Sequence, residues 1–196
     1  MIPIKVNNNN PNFSQKLSEY NNFIDSNDFS KLICPLCNVI GQFERNTSYI
    51  RNYTYIEEEC FENFENNIKN IVDTHIKITV IRCNACKKYH ALLPTFILPY
   101  HIYSAYFIML ALFLKFFKHK SIETILNSLN ISHKLFYYWV FVFKTYLPHA
   151  SIVLKSNNDP PEVLKLIVCD FESFLSNFYN HYFHMFFLNT CNHTFS

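Results

Sequence analysis

Residues 75–86, HIKITVIRCNAC, decide the fold class because they join a predicted β-strand directly to a Cys-x-x-Cys motif. Apolar and polar side chains alternate over the first eight residues, with Ile76, Ile78 and Val80 on one face. This period of two predicts a half-buried strand. The two-residue spacer of the motif lets both sulfur atoms point at one metal ion. The segment therefore predicts a β-structure that carries a metal-binding knuckle.

A second Cys-x-x-Cys motif lies upstream, and 45 residues separate Cys37, its last residue, from Cys83. Two knuckles together offer four thiolates, which close a tetrahedral coordination sphere and leave no position for a catalytic water. The predicted cofactor is therefore a structural Zn²⁺ ion. Its predicted ligands are Cys34, Cys37, Cys83 and Cys86.

The gap between the knuckles is longer than in a compact zinc ribbon, so it must contain strands and an insertion. Residues 49–56 are rich in β-forming side chains, whereas residues 57–73 are acidic and Asn-rich. We expect the acidic insertion to form a surface helix or loop. Residues 88–92 are expected to form the strand that leaves the second knuckle.

The cysteines fit two other uses less well. A disulfide framework would suit an oxidising compartment, but residues 1–12 are polar and lack the apolar segment of a signal peptide. A thioredoxin-type redox motif would use one knuckle rather than two. The remaining cysteines have no paired spacing and are expected to be buried or incidental thiols; they are Cys60, Cys169 and Cys191.

The expected location of the protein is the cytoplasm.

Composition and charge narrow the function classes. The chain has 196 residues and a single glycine, Gly41, which excludes the glycine-rich loops that bind dinucleotides or nucleoside triphosphates. Residues 74–155 contain ten Lys or Arg against one acidic residue, Glu123. A basic region favours a polyanionic partner, because neutralised phosphates release counterions. A lysine-rich solvated surface without a partner remains the alternative.

Residues 121–129, SIETILNSL, place four apolar side chains on one helical face, with Ser121 as the expected N-cap. Asn130 follows, and asparagine tolerates the left-handed conformation that ends many helices. Ser132 is then placed to cap a second helix from residue 133 to 144, which Pro148 is expected to stop. Two helices joined by this tight turn predict a helix-turn-helix, with plain helical packing as the alternative.

The second helix resembles the recognition helix of the homeodomain-like units found at the front of many transposases, which carries a Tyr-x-Trp element. Here that element is Tyr137-Tyr138-Trp139. In this register Phe136, Trp139 and Val140 would pack inward. The predicted DNA-binding residues are Ser132, His133, Lys134, Tyr137 and Tyr138. A lysine can bind phosphate or a guanine edge, and tyrosines can donate to phosphates. Phe141 and Phe143 replace the basic residues usual in such helices and are expected to be buried.

A wider resemblance covers residues 32–144. The second knuckle followed by His-Ala-Leu-Leu-Pro at 90–94, then Pro99-Tyr100 and Tyr103-Ser104, is similar to uncharacterised bacterial proteins with an N-terminal zinc ribbon and a transposase-like helix-turn-helix. The resemblance implies sequence-specific DNA binding tied to mobile elements. It also implies that the four knuckle cysteines bind zinc.

The residues alone leave two alternative functions open. Residues 91–114 contain no Asp, Glu, Lys or Arg, which would allow a membrane-associated protein, although Pro94 and Pro99 interrupt the apolar stretch. The second alternative is a zinc-stabilised protein-interaction module that does not bind DNA. A transposase catalytic core is not expected, because the 52 residues after Lys144 are too few for three carboxylates on their own sheet. Asp170 and Glu172 are interpreted as a surface pair.

The sequence thus predicts an α+β protein, with a small N-terminal β zinc ribbon followed by an α-helical helix-turn-helix domain. The expected order is a polar Asn-rich segment (1–30), a zinc ribbon (31–94), a helical domain (95–150) and a helical tail (151–196), with the helix-turn-helix at 121–146. The predicted function is non-enzymatic binding of double-stranded DNA. No small-molecule substrate and no membrane partner are expected.

Overall fold

A computed structural model of the chain describes residues 1–6, 12–57, 68–98, 100–154, 157 and 159–169. The greater part of the acidic insertion, residues 58–67, and the tail from residue 170 onward lie outside the described residues. The chain divides into two compact units. The first consists of Met1–Glu58 and Val72–Ser104, and the second of Glu59–Ile71 and Ala105–Ser196.

The first unit is built on a four-stranded mixed sheet with the order β1-β4-β3-β2. The strands are β1 (Ile2–Ile4), β2 (Phe43–Ile56), β3 (Ile71–Cys83) and β4 (Tyr89–Pro94). Strand β1 pairs in parallel with β4, with Ile2 opposite Leu92. Strand β3 pairs with β4 in the antiparallel direction, with Ile81 opposite His90. The predicted α+β class is confirmed at this level.

The prediction of a small N-terminal zinc ribbon is wrong, because the four cysteines belong to a group that spans this sheet. The reason is a non-local pairing. Strand β1 is three residues long and pairs with β4, which lies 90 residues further along the chain. Local periodicity cannot reveal such a strand, since a tripeptide carries too little pattern. Strand β2 is also longer than the predicted segment at residues 49–56.

Helix α1 (Phe13–Ser26) covers this sheet. The Asn12 side chain accepts a hydrogen bond from the Ser14 N–H at the start of the helix, and Asn27 ends it in the left-handed conformation with φ of 52°. Its Tyr20 side chain is buried and donates a hydrogen bond to the Leu92 carbonyl oxygen at 2.9 Å. Burial of this hydroxyl raises the pKa of Tyr20 to about 12.

Two apolar clusters form the core of the first unit. One contains Ile2, Ile4, Val6, Tyr20, Ile24, Phe29, Ile81 and Leu92. The other contains Phe13, Tyr53, Tyr55, Ile76, Ile78, Leu93 and Ile97. Removal of this apolar surface from water is the main favourable contribution to folding, at about 25 cal/mol per Å². Ile76 and Ile78, which the alternating pattern assigned to one face, lie in the same cluster.

The apolar segment after β4 packs onto the sheet. Ile97 and Leu98 are fully buried. The Arg51 guanidinium donates hydrogen bonds to the carbonyl oxygens of Leu98, at 2.7 Å, and of His101. Burial, with the nearby Arg51 charge, lowers the pKa of His101 to about 4. This arginine therefore holds the segment in place through its backbone.

The second unit contains four described helices: α2 (Ala105–Phe116), α3 (Ile122–Leu129), α4 (His133–Leu154) and α5 (Pro160–Cys169). Helix α2 packs against the other three and buries eight of its twelve residues. None of the helices within the described ranges is long and apolar enough to cross a membrane.

Helix α4 does not stop at Pro148, contrary to the sequence-based expectation, and continues to Leu154. A proline inside a helix removes one backbone hydrogen bond and crowds the preceding turn. The helix continues because its buried face extends from Leu147 past the proline to Ala150 and Ser151, which are also buried. The Ser151 hydroxyl also donates to the Leu147 carbonyl oxygen at 2.9 Å. Packing thus outweighs the local cost of the proline.

Candidate metal centre and helix-turn-helix

The first knuckle is a tight turn in the loop between α1 and β2. The Cys34 N–H donates to the Val39 carbonyl oxygen, and the Asn38 N–H donates to the Cys34 carbonyl oxygen, both at 2.9 Å. Asn38 follows the second cysteine and adopts the left-handed conformation with φ of 58°. The Gly41 N–H donates to the Leu32 carbonyl oxygen at 2.9 Å and closes the base of the loop.

The second knuckle is the turn between β3 and β4, and it repeats the same hydrogen bonds. The Cys83 N–H donates to the Lys88 carbonyl oxygen, and the Lys87 N–H donates to the Cys83 carbonyl oxygen, both at 2.9 Å. Lys87 is left-handed, with φ of 61°. The Asn84 N–H donates to the Gln42 carbonyl oxygen at 2.8 Å, which links this knuckle to the segment that precedes β2.

The two turns bring four sulfur atoms to one point. The ligand atoms of all four cysteines lie within 4.8 Å of one another. Two of the separations are 3.7 Å, between Cys34 and Cys86, and 3.6 Å, between Cys37 and Cys83. A tetrahedral ion with metal–sulfur bonds of about 2.3 Å requires sulfur–sulfur separations of about 3.8 Å. The cysteines are free thiols and could hold a metal ion.

Backbone N–H groups favour thiolates at this site. Burial alone would raise the pKa of Cys34, but the Leu36 and Cys37 N–H groups lower it to about 6. The Cys86 N–H similarly lowers the pKa of Cys83. At Cys37 the Val39 N–H acts in the same direction, but burial and the neighbouring thiols raise the pKa to about 12. Four adjacent thiolates repel one another, so a divalent cation is needed to ionise all four.

One further side chain, which no local sequence pattern indicates, reaches the sulfur cluster. His90 lies in β4, is 3% exposed, and places its Nε2 atom 3.4 Å from the Cys34 sulfur. The Phe43 ring packs edge-on against its imidazole, with ring centroids 6.3 Å apart. His90 falls in the His-Ala-Leu-Leu-Pro motif, so its place in the resemblance was the one available indication.

The predicted turn between α3 and α4 has the expected geometry. The Ser121 hydroxyl accepts a hydrogen bond from the Thr124 N–H at 3.1 Å at the start of α3. Asn130 ends that helix in the left-handed conformation, with φ of 50° and ψ of 48°. The Ser132 hydroxyl then accepts from the Leu135 N–H at 3.3 Å and caps α4. These local details confirm the predicted caps and the turn between the two helices, and the helix-turn-helix at residues 121–146 stays a prediction.

The proposed DNA-binding side chains differ in exposure. Four are exposed and lie at the start of α4: Ser132, His133, Lys134 and Tyr137. Tyr138 is half-buried, and Trp139 is buried, with its ring 6.2 Å from that of Phe107. Phe143 is buried as expected and packs near Phe116. Phe141 is 64% exposed, so the expectation of its burial is wrong.

Further lysines extend the positive charge in this unit. Lys118 and Lys120 are exposed in the turn between α2 and α3, where His119 is left-handed with φ of 53°. Lys144 is exposed on α4, and its ammonium lies 5.9 Å from the centre of the Phe116 ring. Such a contact stabilises the cation at its position on the surface.

These observations define an α+β chain with a four-cysteine group suited to a metal ion and a helical unit with exposed lysines. A family model described as a domain of unknown function, DUF6431, matches residues 64–129. The matched third of the chain contains Cys83, Cys86 and residues 90–94, which carry the resemblance stated above. No curated protein matches the chain, and neither does any solved structure.

Proposed function

We propose that this chain is a non-enzymatic DNA-binding protein whose sheet is stabilised by one structural Zn²⁺ ion. The observation that carries the proposal is the exposed, basic start of α4 immediately after a tight turn, with Ser132, His133, Lys134 and Tyr137 accessible. A recognition helix contacts base edges with its N-terminal residues. The link to mobile elements rests on the resemblance alone.

Zinc is the metal that the ligand set supports best. Four thiolates in tetrahedral separation are typical of structural zinc sites, and the second knuckle sits in the turn that joins β3 to β4. Zinc would bridge β-structure that is far apart in sequence, since Cys34 and Cys86 are separated by 52 positions. Its task would be folding rather than chemistry, because no ligand position stays open.

Charge supports a nucleic-acid partner for helices α2 to α4. Residues 105–155 contain six lysines against one acidic residue, Glu123, and exposed lysines occur on α4 and in the turn before α3. Each lysine that neutralises a phosphate contributes to affinity in a salt-dependent way. The tyrosine hydroxyl at position 137 adds a donor suited to phosphate oxygens.

The test is a titration of fluorescent duplex DNA with the zinc-loaded protein at several salt concentrations. We expect the logarithm of the affinity to fall linearly with the logarithm of salt. Lys134→Gln should weaken binding roughly fivefold to tenfold at 0.1 M salt and reduce the salt slope by about one. Lys165→Gln is the matched control, because Lys165 is an exposed lysine on α5 beside acidic residues. Absence of duplex binding at low salt would refute the proposal.

A protein-interaction module is the second candidate, and one observation favours it. Three apolar side chains around the first knuckle are more than half exposed: Ile33, Leu36 and Ile40, at 54%, 66% and 61%. Exposed apolar patches often mark protein contacts. Under this alternative the protein would not bind duplex DNA, and Leu36→Ser would abolish co-purification of a specific protein partner.

A further inference from the structure

We propose that His90 is a positioning residue of the metal centre, which donates an Nε2–H hydrogen bond to the Cys34 thiolate and thereby tightens metal binding. This inference rests on the zinc centre proposed above. The geometry that carries it is the 3.4 Å distance between Nε2 and the sulfur, in a contact where both residues are buried. The sulfur is 56 positions away in sequence, so the fold alone creates this pair.

The sheet holds the imidazole in place. His90 lies opposite Ile81 in the β3–β4 ladder, so its backbone position is set by strand pairing. Of its neighbours in β4, Tyr89 is exposed and Ala91 is half-buried, whereas the His90 side chain points to the covered face of the sheet. The edge of the Phe43 ring packs against the imidazole at an interplanar angle of 84°. A ring confined in this way loses little further freedom when it donates to the sulfur.

The physical reason for such a donor is the charge of the site. One Zn²⁺ ion and four thiolates carry a net charge of about −2, and Cys34 is fully buried. Burial of uncompensated negative charge is costly, and hydrogen bonds to the sulfur reduce that cost. Backbone N–H groups of Leu36 and Cys37 already act on this sulfur. His90 adds a side-chain donor, and partners of metal ligands typically change metal affinity by about 10- to 100-fold.

The experiment compares zinc affinity in three proteins by competition with a chromophoric chelator. His90→Leu removes the donor, and we expect zinc to bind about tenfold more weakly. His90→Gln keeps an amide N–H at similar reach and should restore most of the affinity. His75→Leu is the matched control, since His75 is an exposed histidine on β3, and it should bind zinc as the natural chain does.

A spectroscopic readout separates hydrogen bonding from a merely structural role. In the Co²⁺-loaded protein, loss of a donor to a thiolate lowers the energy of the sulfur-to-cobalt charge-transfer bands. His90→Leu should shift these bands to longer wavelength, and His90→Gln should not. Unchanged bands together with unchanged zinc affinity in His90→Leu would overturn the role of His90 and leave the zinc centre standing. If the natural chain takes up neither cobalt nor zinc, both proposals fail.

A measurement on the natural chain keeps the inference testable if His90→Leu does not fold. In the ¹¹³Cd-loaded protein, a hydrogen bond from an N–H to a metal-bound sulfur transmits scalar coupling to the cadmium nucleus. We expect a correlation between ¹¹³Cd and the His90 Hε2 proton. If the backbone N–H of Leu36 or Cys37 shows such coupling and His90 does not, the inference is wrong.

Discussion

The two Cys-x-x-Cys knuckles share one set of backbone hydrogen bonds but lie in different surroundings. The second is the turn of a hairpin, held on both sides by the β3–β4 ladder. The first lies in a loop whose described ladder contact is a single bridge between Ile33 and Ile40. The knuckle geometry therefore arises from the few residues of the turn itself. What differs is the means by which each turn is attached to the sheet.

Attachment of the first knuckle depends on the one glycine of the chain. Gly41 has φ of +70°, and a Cβ atom added there would lie 2.6 Å from the Ser30 carbonyl oxygen. A backbone carbonyl cannot move aside as a flexible side chain can, so only glycine fits. The second knuckle contains no glycine, and Lys87, the counterpart of Asn38, takes the left-handed position in its turn.

The largest predicted effect tests whether the knuckles are equivalent. Cys34→Ser and Cys83→Ser should each abolish stoichiometric zinc binding and unfold the first unit, because structural zinc contributes on the order of 10 kcal/mol. Metal analysis and far-UV circular dichroism of the purified variants check this. Both variants should behave alike, since each removes one of four ligands to one ion.

Cys60→Ser is the control for this pair, because Cys60 has no paired spacing. It should keep one zinc ion per chain. Retention of zinc by either knuckle variant would contradict a shared four-thiolate site, and unequal losses would contradict the equivalence of the two turns.

A smaller effect is expected from the attachment of the first knuckle alone. Gly41→Ala should lower the free energy of unfolding by about 3 kcal/mol, from left-handed strain together with the clash at Ser30. Thermal unfolding of the zinc-loaded protein measures the loss. Gln42→Ala alters the exposed neighbouring side chain and should have little effect. Equal melting temperatures for the two variants would show that the first knuckle does not depend on this glycine.

The smallest effect concerns the left-handed residue that follows each knuckle. Lys87→Gly should raise the free energy of unfolding by about 0.5–1 kcal/mol, because lysine carries the left-handed penalty that glycine lacks. Asn38→Gly should change it less, since asparagine tolerates this conformation. Chemical denaturation of the zinc-loaded variants measures which substitution raises the free energy of unfolding more. A larger gain at Asn38 than at Lys87 would mean that side-chain contacts, rather than backbone strain, decide these positions.

Short-range features were predictable because neighbouring residues determine them. The cysteine spacing identified the four members of the metal-binding group, and their convergence is seen in the structure. The Ser121 cap, the left-handed Asn130 and the Ser132 cap also follow from side-chain chemistry over a few residues. In the same way the alternation at residues 76–80 identified part of β3.

Long-range features were not predictable from one sequence. Strand β1 can be recognised only once its pairing with β4 is known. Phe141 was expected to be buried because its side chain is aromatic, but it is exposed. Helix α4 passes Pro148 because its buried face continues beyond it, which depends on the helices around it. His90 resembles any polar residue in a strand until the fold brings Cys34 to it.

The sequence by itself determined the turns, the helix caps and the identity of four thiols, because these depend on interactions between residues at most a few positions apart. The tertiary structure decided that the thiols converge in a unit built on a four-stranded mixed sheet, that Gly41 is confined against Ser30, and that an imidazole contacts one sulfur. Each of these joins segments that are distant in the chain. Their pairing depends on burial and strand registry, which are properties of the whole unit rather than of any local pattern.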